Sequence, residues 1–295
     1  MNSEITILAP AKINVYLDVL GKRSDGYHDI ETLMQTVGVF DRLNVIKNDG
    51  HGAEREIAVF CDGNIPGGED NLAYKAALSF FSEMGDESYN VSISIEKRIP
   101  DKAGLGGGSS DAAATIIALS HLYHPDTSIE RLMEIGALVG SDVPFLVKKG
   151  TCIGTGRGEV IESCTPFPDC VIVIAVPTSE RVSTAQAYSI IDGISDKGSL
   201  EKMKRALLDC SIESIGAAMF NKFEYIFSDG SKIKEVIKKL SSISNGAARM
   251  SGSGSAVFAL FSDPQSAKNA ADELSRECEV FLCRPVRSTY NYIEN

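Results

Sequence analysis

The sequence predicts an α+β protein built as two domains that share a cleft. Three observations predict it. At 295 residues the chain exceeds what one core of ordinary size fills. Strand-period and helix-period stretches are interleaved, and Thr165-Pro166-Phe167-Pro168 reads as a linker, which divides the chain into residues 1–163 and 164–295. Beyond that linker the order is strand, helices, two strands, helix, strand, which is the split-βαβ, ferredoxin-like arrangement.

Taken in order, Ile5-Thr6-Ile7-Leu8 and then Ile13, Val15, Leu17 and Val19 alternate at period two, predicting two strands around Ala9-Pro10. Lys12 lies where the second begins. The stretch from Gly21 to Asp29 is a polar loop dense in turn residues, with Tyr27 and His28 at its tip. Leu33 to Leu43 and Ile57 to Phe60 read as strands separated by the Asn48-Asp49-Gly50-His51-Gly52 turn. Asn71 to Met84 reads as a helix, and Val91, Ile93 and Ile95, alternating with serines, as a strand.

That strand feeds the stretch around which the chain is organised, Pro100-Asp101-Lys102-Ala103-Gly104-Leu105-Gly106-Gly107-Gly108-Ser109-Ser110-Asp111, followed by an alanine-rich helix ending near Tyr123. Glycines let the backbone adopt positive φ and approach a ligand closely. Their N–H groups, with the positive end of the following helix, make a cradle for a polyphosphate. Ser109, Ser110 or Asp111 is the expected N-cap. The loop is neither a Walker A sequence, since no lysine follows the glycines, nor the dinucleotide pattern, since Ser109 stands where a third glycine or alanine belongs.

Ser128 to Val139 is a second helix, leading into Gly140-Ser141-Asp142-Val143-Pro144-Phe145, and Gly150 to Gly158 is a glycine-punctuated strand and turn. In the second half, Cys170 to Val176 is a buried strand, and Ser183-Thr184-Ala185-Gln186 is a capping box opening a helix through Ile191. Residues 200–227 are helical without clear limits. Ser231 to Ser242 is amphipathic. Two strands, Ala247 to Met250 and Ala256 to Phe261, flank the glycine turn Ser251-Gly252-Ser253-Gly254-Ser255, followed by a helix from Pro264 to Arg276 and a strand from Glu279 to Cys283.

A formal charge of -11 argues against a nucleic-acid or membrane-surface partner, because phosphate would be repelled over most of the surface. Seven cysteines without a Cys-x-x-Cys pair suit reduced thiols, and with no signal peptide read at the start the expectation is a cytoplasmic protein. His121 and His124 alone make no metal site. The sequence leaves monomer and homodimer both open.

Three stretches in this order, Pro10-Ala11-Lys12-Ile13-Asn14, the cradle, and Arg249-Met250-Ser251-Gly252-Ser253-Gly254, resemble the small-molecule kinases of the GHMP superfamily over essentially the whole chain. Gly21-Lys22-Arg23-Ser24-Asp25-Gly26-Tyr27-His28 and Gly140 to Phe145 narrow the resemblance to the family that phosphorylates the 2-hydroxyl of 4-diphosphocytidyl-2-C-methyl-D-erythritol in the non-mevalonate isoprenoid pathway. Ser24, Val15, Tyr16 and Ser255 depart from that family's usual residues, none with chemical work to do.

The resemblance implies an ATP-binding N-terminal domain of the ribosomal protein S5 domain 2 type, a ferredoxin-like C-terminal domain and an active site between them. It implies ATP as co-substrate in the loop from Pro100 to Ser110, with magnesium expected. It also implies Lys12 and Asp142 as the catalytic pair, and Tyr27 and His28 at the cytosine end of a cytidine diphosphate derivative. Chemistry agrees with those roles: a carboxylate suits the hydroxyl proton, a lysine suits developing negative charge, and cytosine offers a flat face and a hydrogen-bonding edge. Tyr188 stands as a candidate for stacking on the base or for core packing. The sequence does not name the magnesium ligands: Ser109, Ser110 and Asp142 could serve by chemistry, and phosphate oxygens and water could equally hold the ion. Other kinases of the superfamily, acting on homoserine, mevalonate or a sugar, and a non-catalytic ligand-binding member of the fold are the competing readings.

Overall fold

A computed structural model describes residues 3–48, 55–62, 68–178, 184–287 and 293–294. Near the start, the period-two alternation runs through Ala9-Pro10 unbroken, so the two short strands expected there are one strand, β1 (Glu4–Lys22). Proline cannot donate to a ladder, and Pro10 is accommodated because its pairing with β2 (His28–Lys47) shifts register between Pro10 and Ala11. The first half continues with β3 (Arg55–Cys61), α1 (Leu72–Met84), β4 (Tyr89–Glu96), α2 (Gly107–Tyr123), α3 (Ile129–Val139), α4 (Val143–Lys148), β5 (Thr151–Thr155) and β6 (Val160–Ser163). The turn expected after Asn48 lies outside the described residues from position 49 onward.

The second half opens on β7 (Val171–Pro177) and α5 (Thr184–Ile191). The expected cap of α5, Ser183, lies outside the described residues. Residues 200–227 resolve into α6 (Leu200–Leu208), α7 (Ile212–Ala218), a two-residue strand β8 (Phe220–Asn221) and a 3-10 turn (Lys222–Ile226). Then follow α8 (Lys232–Ile243), β9 (Ala248–Met250), β10 (Val257–Phe261), α9 (Pro264–Leu274), β11 (Cys278–Cys283) and β12 (Ile293–Glu294).

Two sheets result. The larger runs β12-β1-β2-β4-β3, with β5 on β2, β6 on β5 and β8 on β1. The smaller runs β11-β7-β10-β9 with every pairing antiparallel. Its strand order, last-first-third-second, is the one that the split-βαβ reading requires. No helix among the described residues is long and apolar enough to cross a membrane.

Helix α2 is the axis of the first half. It is buried on nearly every side, and its alanines let β1, α1 and α4 approach closely. It begins earlier than expected. Gly106, in the left-handed region at φ 73°, is the N-cap, no side chain caps the helix, and Ser109, Ser110 and Asp111 already lie within it. The three side chains have other partners or open space. The Ser110 hydroxyl donates to the Pro10 carbonyl at 2.7 Å, tying the helix to the bulge in β1.

Asp111 belongs to a buried cluster. Lys97 Nζ reaches Asp41 Oδ2 at 2.5 Å and Asp111 Oδ2 at 2.6 Å. Asp41 Oδ1 also accepts from the backbone N–H groups of Arg98 and Ile99, whereas Asp111 Oδ1 is buried with no hydrogen-bond partner among the described residues. One lysine cannot neutralise two carboxylates, so the less well solvated one takes up a proton. Burial pushes Asp111 up to about 8, against Lys97, which pulls it down.

A carboxyl raised in this way stabilises the fold fully below the unfolded value near 3.8 and loses that contribution as pH rises toward about 8. Asp111→Asn keeps the shape and removes the titration. It is expected to flatten the fall of Tm with pH between 5 and 8 relative to the parent chain; an unchanged slope would mean that Asp111 is already ionised.

Candidate active site

Lys12 sits in the middle of β1 with its side chain almost wholly buried. Its Nζ donates to Asn14 Oδ1 at 2.6 Å and lies 3.4 Å from Asp142 Oδ2. Two residues apart on a strand, Lys12 and Asn14 face the same side. Asn14 is itself fixed, since its Nδ2 donates to Thr32 Oγ1 at 2.9 Å and that hydroxyl donates to the Tyr16 carbonyl at 2.7 Å. Asp142 precedes α4, but its carboxylate makes no capping hydrogen bond. It is therefore free to face the lysine.

The cradle meets both. Leu105 O accepts from the Lys12 backbone N–H at 2.9 Å. A Cβ built on Gly106 would stand 2.9 Å from Lys12 Cγ, so the bare glycine leaves the lysine side chain its path. Gly104 has φ +79°, and a Cβ there would fall 2.1 Å from the Ser251 carbonyl oxygen. The Ser251 hydroxyl donates to Gly104 O at 2.8 Å and accepts from the Asn14 N–H at 3.3 Å. Asn221 Nδ2 holds the same turn through Met250 O and Gly252 O. The glycine turn near the end of the chain is thus the backing of the cradle.

These parts border one cleft of about 950 Å³, lined by Lys12, Asp142, Tyr27, His28, Tyr188 and residues 100–104 and 106–109 of the cradle. The structure leaves two of the expected cradle residues out of its wall. Leu105 is packed in the core, and Ser110 is spent on Pro10. The side chains of Lys102 and Asp101 point to solvent.

At the other end of the cleft, Tyr27 is 57% exposed with the Arg157 guanidinium 5.0 Å from its ring centre, whereas His28 is only 7% exposed. The His28 ring stacks on Tyr188 at 5.0 Å, and Tyr188 meets the Phe223 ring edge-on at 4.9 Å. Burial, and then the nearby Asp142, push the Tyr188 hydroxyl up to about 12, so it stays a donor at neutral pH. His28 Nε2 lies 2.9 Å from Asp192 Oδ1.

Asn14, Arg157 and Asp192 were not among the residues expected from sequence. Asn14 had a signal, since it shares the strand face of Lys12. Arg157 and Asp192 had none, because each meets its partner across more than a hundred residues. No group of three or more His, Cys, Asp or Glu able to hold a metal occurs among the described residues, and His124 pairs with Asp86 instead. Of the magnesium candidates, Ser109 and Asp142 line the cleft, whereas the Ser110 hydroxyl is committed to Pro10.

Comparison with known proteins identifies the family. Family models described as GHMP kinases N terminal domain and GHMP kinases C terminal match residues 71–150 and 203–280. A 4-diphosphocytidyl-2-C-methyl-D-erythritol kinase of Exiguobacterium sibiricum is 40% identical over 95% of this chain and 97% of its own. One of Listeria monocytogenes is 39% identical over 96% of each. Among solved structures, a 4-(cytidine 5'-diphospho)-2C-methyl-D-erythritol kinase superposes with a TM-score of 0.78 at 31% identity, covering 95% of this chain and 98% of that one. The Methanococcus jannaschii mevalonate kinase reaches 0.75 at 16% identity over 97% and 99%, a likeness of fold.

Proposed function

This chain belongs to the GHMP kinases, in the family of the 4-diphosphocytidyl-2-C-methyl-D-erythritol kinases, and from that premise we propose how its cleft transfers the γ-phosphoryl group of ATP to the 2-hydroxyl of that substrate. The observation that carries the reading is the Lys12–Asp142 contact of 3.4 Å facing the glycine cradle.

In this reading the N–H groups at the start of α2, which no side chain caps, receive the phosphates of ATP. Asp142 accepts the proton of the attacking hydroxyl while the new oxygen–phosphorus bond forms and the bond from the γ-phosphorus to the bridging oxygen of the leaving ADP breaks. Lys12, held by Asn14, faces the oxygen on which negative charge develops. Tyr27 offers an exposed aromatic face to the cytosine, and His28 offers a ring nitrogen to its edge.

A magnesium ion accompanying ATP would neutralise charge on the phosphate oxygens, with Ser109 and Asp142 the cleft-lining oxygen donors at that end. The acceptor is a small molecule, and the reading places the enzyme in the cytoplasm, where its seven free cysteines stay reduced.

A panel assay with ATP and, in turn, 4-diphosphocytidyl-2-C-methyl-D-erythritol, mevalonate and homoserine tests it. The expected result is turnover of the first with kcat/KM higher by several orders of magnitude, since missing contacts to a recognised hydroxyl or amino group can cost about 10⁴-fold or more. Preferred turnover of another acceptor would end this assignment. Nucleotide binding without turnover of any would leave only a binding protein.

A further inference from the structure

One carboxylate behind the cleft-lining His28 has no part in the phosphoryl transfer. Asp192 follows directly on α5, which also carries Tyr188. Four residues apart, the two fall on one side of the helix, one turn from each other. Both turn toward His28, the first residue of β2. Tyr188 lies flat on the imidazole, 5.0 Å between centres and 28° between planes, and Asp192 Oδ1 takes Nε2 at 2.9 Å.

Two contacts so placed fix a ring in plane and in rotation. They also fix its proton. A carboxylate only accepts, so the Nε2 that faces it must carry hydrogen. In the neutral ring Nδ1 is then a bare acceptor. His28 lines the cleft, and its Nδ1 makes no hydrogen bond among the described residues and is not a buried orphan.

We propose that Asp192, acting through the His28 tautomer, makes this cleft select a 4-aminopyrimidine and reject a 4-oxopyrimidine. The inference rests on the reading that the Tyr27–His28 end receives the base of the substrate. Cytosine presents an amino donor at C4, which Nδ1 accepts. Uracil presents a carbonyl there, which sets two acceptors against each other and leaves both unpaired. Asp192 is a positioning residue, since it reaches the base only through the histidine. Its side chain is half exposed, so replacing it disturbs little packing.

The test compares 4-diphosphocytidyl-2-C-methyl-D-erythritol with its uridine counterpart in the parent enzyme and in Asp192→Asn, Asp192→Glu and His28→Ala. An asparagine amide can donate to Nε2 as readily as accept from it, which releases the tautomer. The expected result for Asp192→Asn is a fall of about tenfold or more in the cytidine-to-uridine ratio of kcat/KM, the size of one hydrogen bond gained or lost. The KM for ATP should not move. Asp192→Glu should keep most of the selectivity, and ¹⁵N spectra should show hydrogen on Nε2 in the parent and a mixed population in Asp192→Asn.

A ratio unchanged in Asp192→Asn, or kcat/KM lowered equally for both bases, would overturn the proposal. His28→Ala separates the two levels of the argument. If it raises the KM of the cytidine substrate while the Asp192 variants keep their selectivity, only the role of Asp192 falls. If it raises the KM of ATP instead, the reading of this end of the cleft falls, and the proposal with it.

Discussion

Replacing Asp142 by asparagine is expected to lower turnover by roughly 10²- to 10⁴-fold, the usual worth of a positioned acid or base. The fold should survive the change, because the carboxylate caps no helix, is about a third exposed, and leaves Lys12 with Asn14 as partner. Nucleotide affinity in the absence of magnesium should survive as well, since the amide removes a negative charge from the cleft and takes away no donor. Thermal melting, titration calorimetry with a non-hydrolysable nucleotide and steady-state kinetics together read all three quantities. A folded variant with near-parental kcat would take Asp142 out of the mechanism, and loss of folding would make it structural.

The second large effect is expected at Gly104. An alanine there must hold φ near +79° and place its Cβ 2.1 Å from the Ser251 carbonyl oxygen, a backbone atom that cannot swing aside. Left-handed strain of about 1 to 2 kcal/mol adds to overpacking of about 1 to 3 kcal/mol. Gly85, at φ +76° after α1, is the control, because a Cβ there meets nothing within 4 Å and Gly85→Ala carries the strain alone. Denaturant unfolding of the two variants isolates the contact between the cradle and the turn behind it. Equal losses of stability would show that Ser251 yields. Gly104→Ala should also weaken nucleotide binding, because the turn it displaces supports the loop.

The parts of this protein that local chemistry dictates were legible in its sequence. Glycine clusters, capping serines and apolar periods placed most of the helices, the smaller sheet and the cradle within a few residues of where they lie, whereas α4 was not expected and α6 and α7 were not delimited. The failures have physical causes. Pro10 read as a break because a proline removes one ladder donor, yet a register shift absorbs that loss and the strand continues. Ser109, Ser110 and Asp111 read as caps because such residues commonly are, but Gly106 starts the helix and the side chain of Ser110 serves β1 while that of Asp111 meets Lys97. In the site, short motifs pointed to Lys12, Asp142 and the Tyr27–His28 pair. The burial of His28 was not readable, because Tyr188 on α5 and Asp192 directly after it, which pack against it, come from a distant part of the chain.

The first strand of the protein is also the one that waits longest for its neighbours. Tyr16 and Leu17 pair with Phe220 and Asn221, and Thr6 and Ile7 pair with Glu294 and Ile293. The turn that backs the cradle comes from residues 251–254. On a ribosome adding roughly 5 to 20 residues per second, Lys12 is made on the order of tens of seconds before any of these partners. Lys12 and the glycine loop are therefore made well before the turn that backs them, and the cleft takes its final shape only once residues 251–254 have been added.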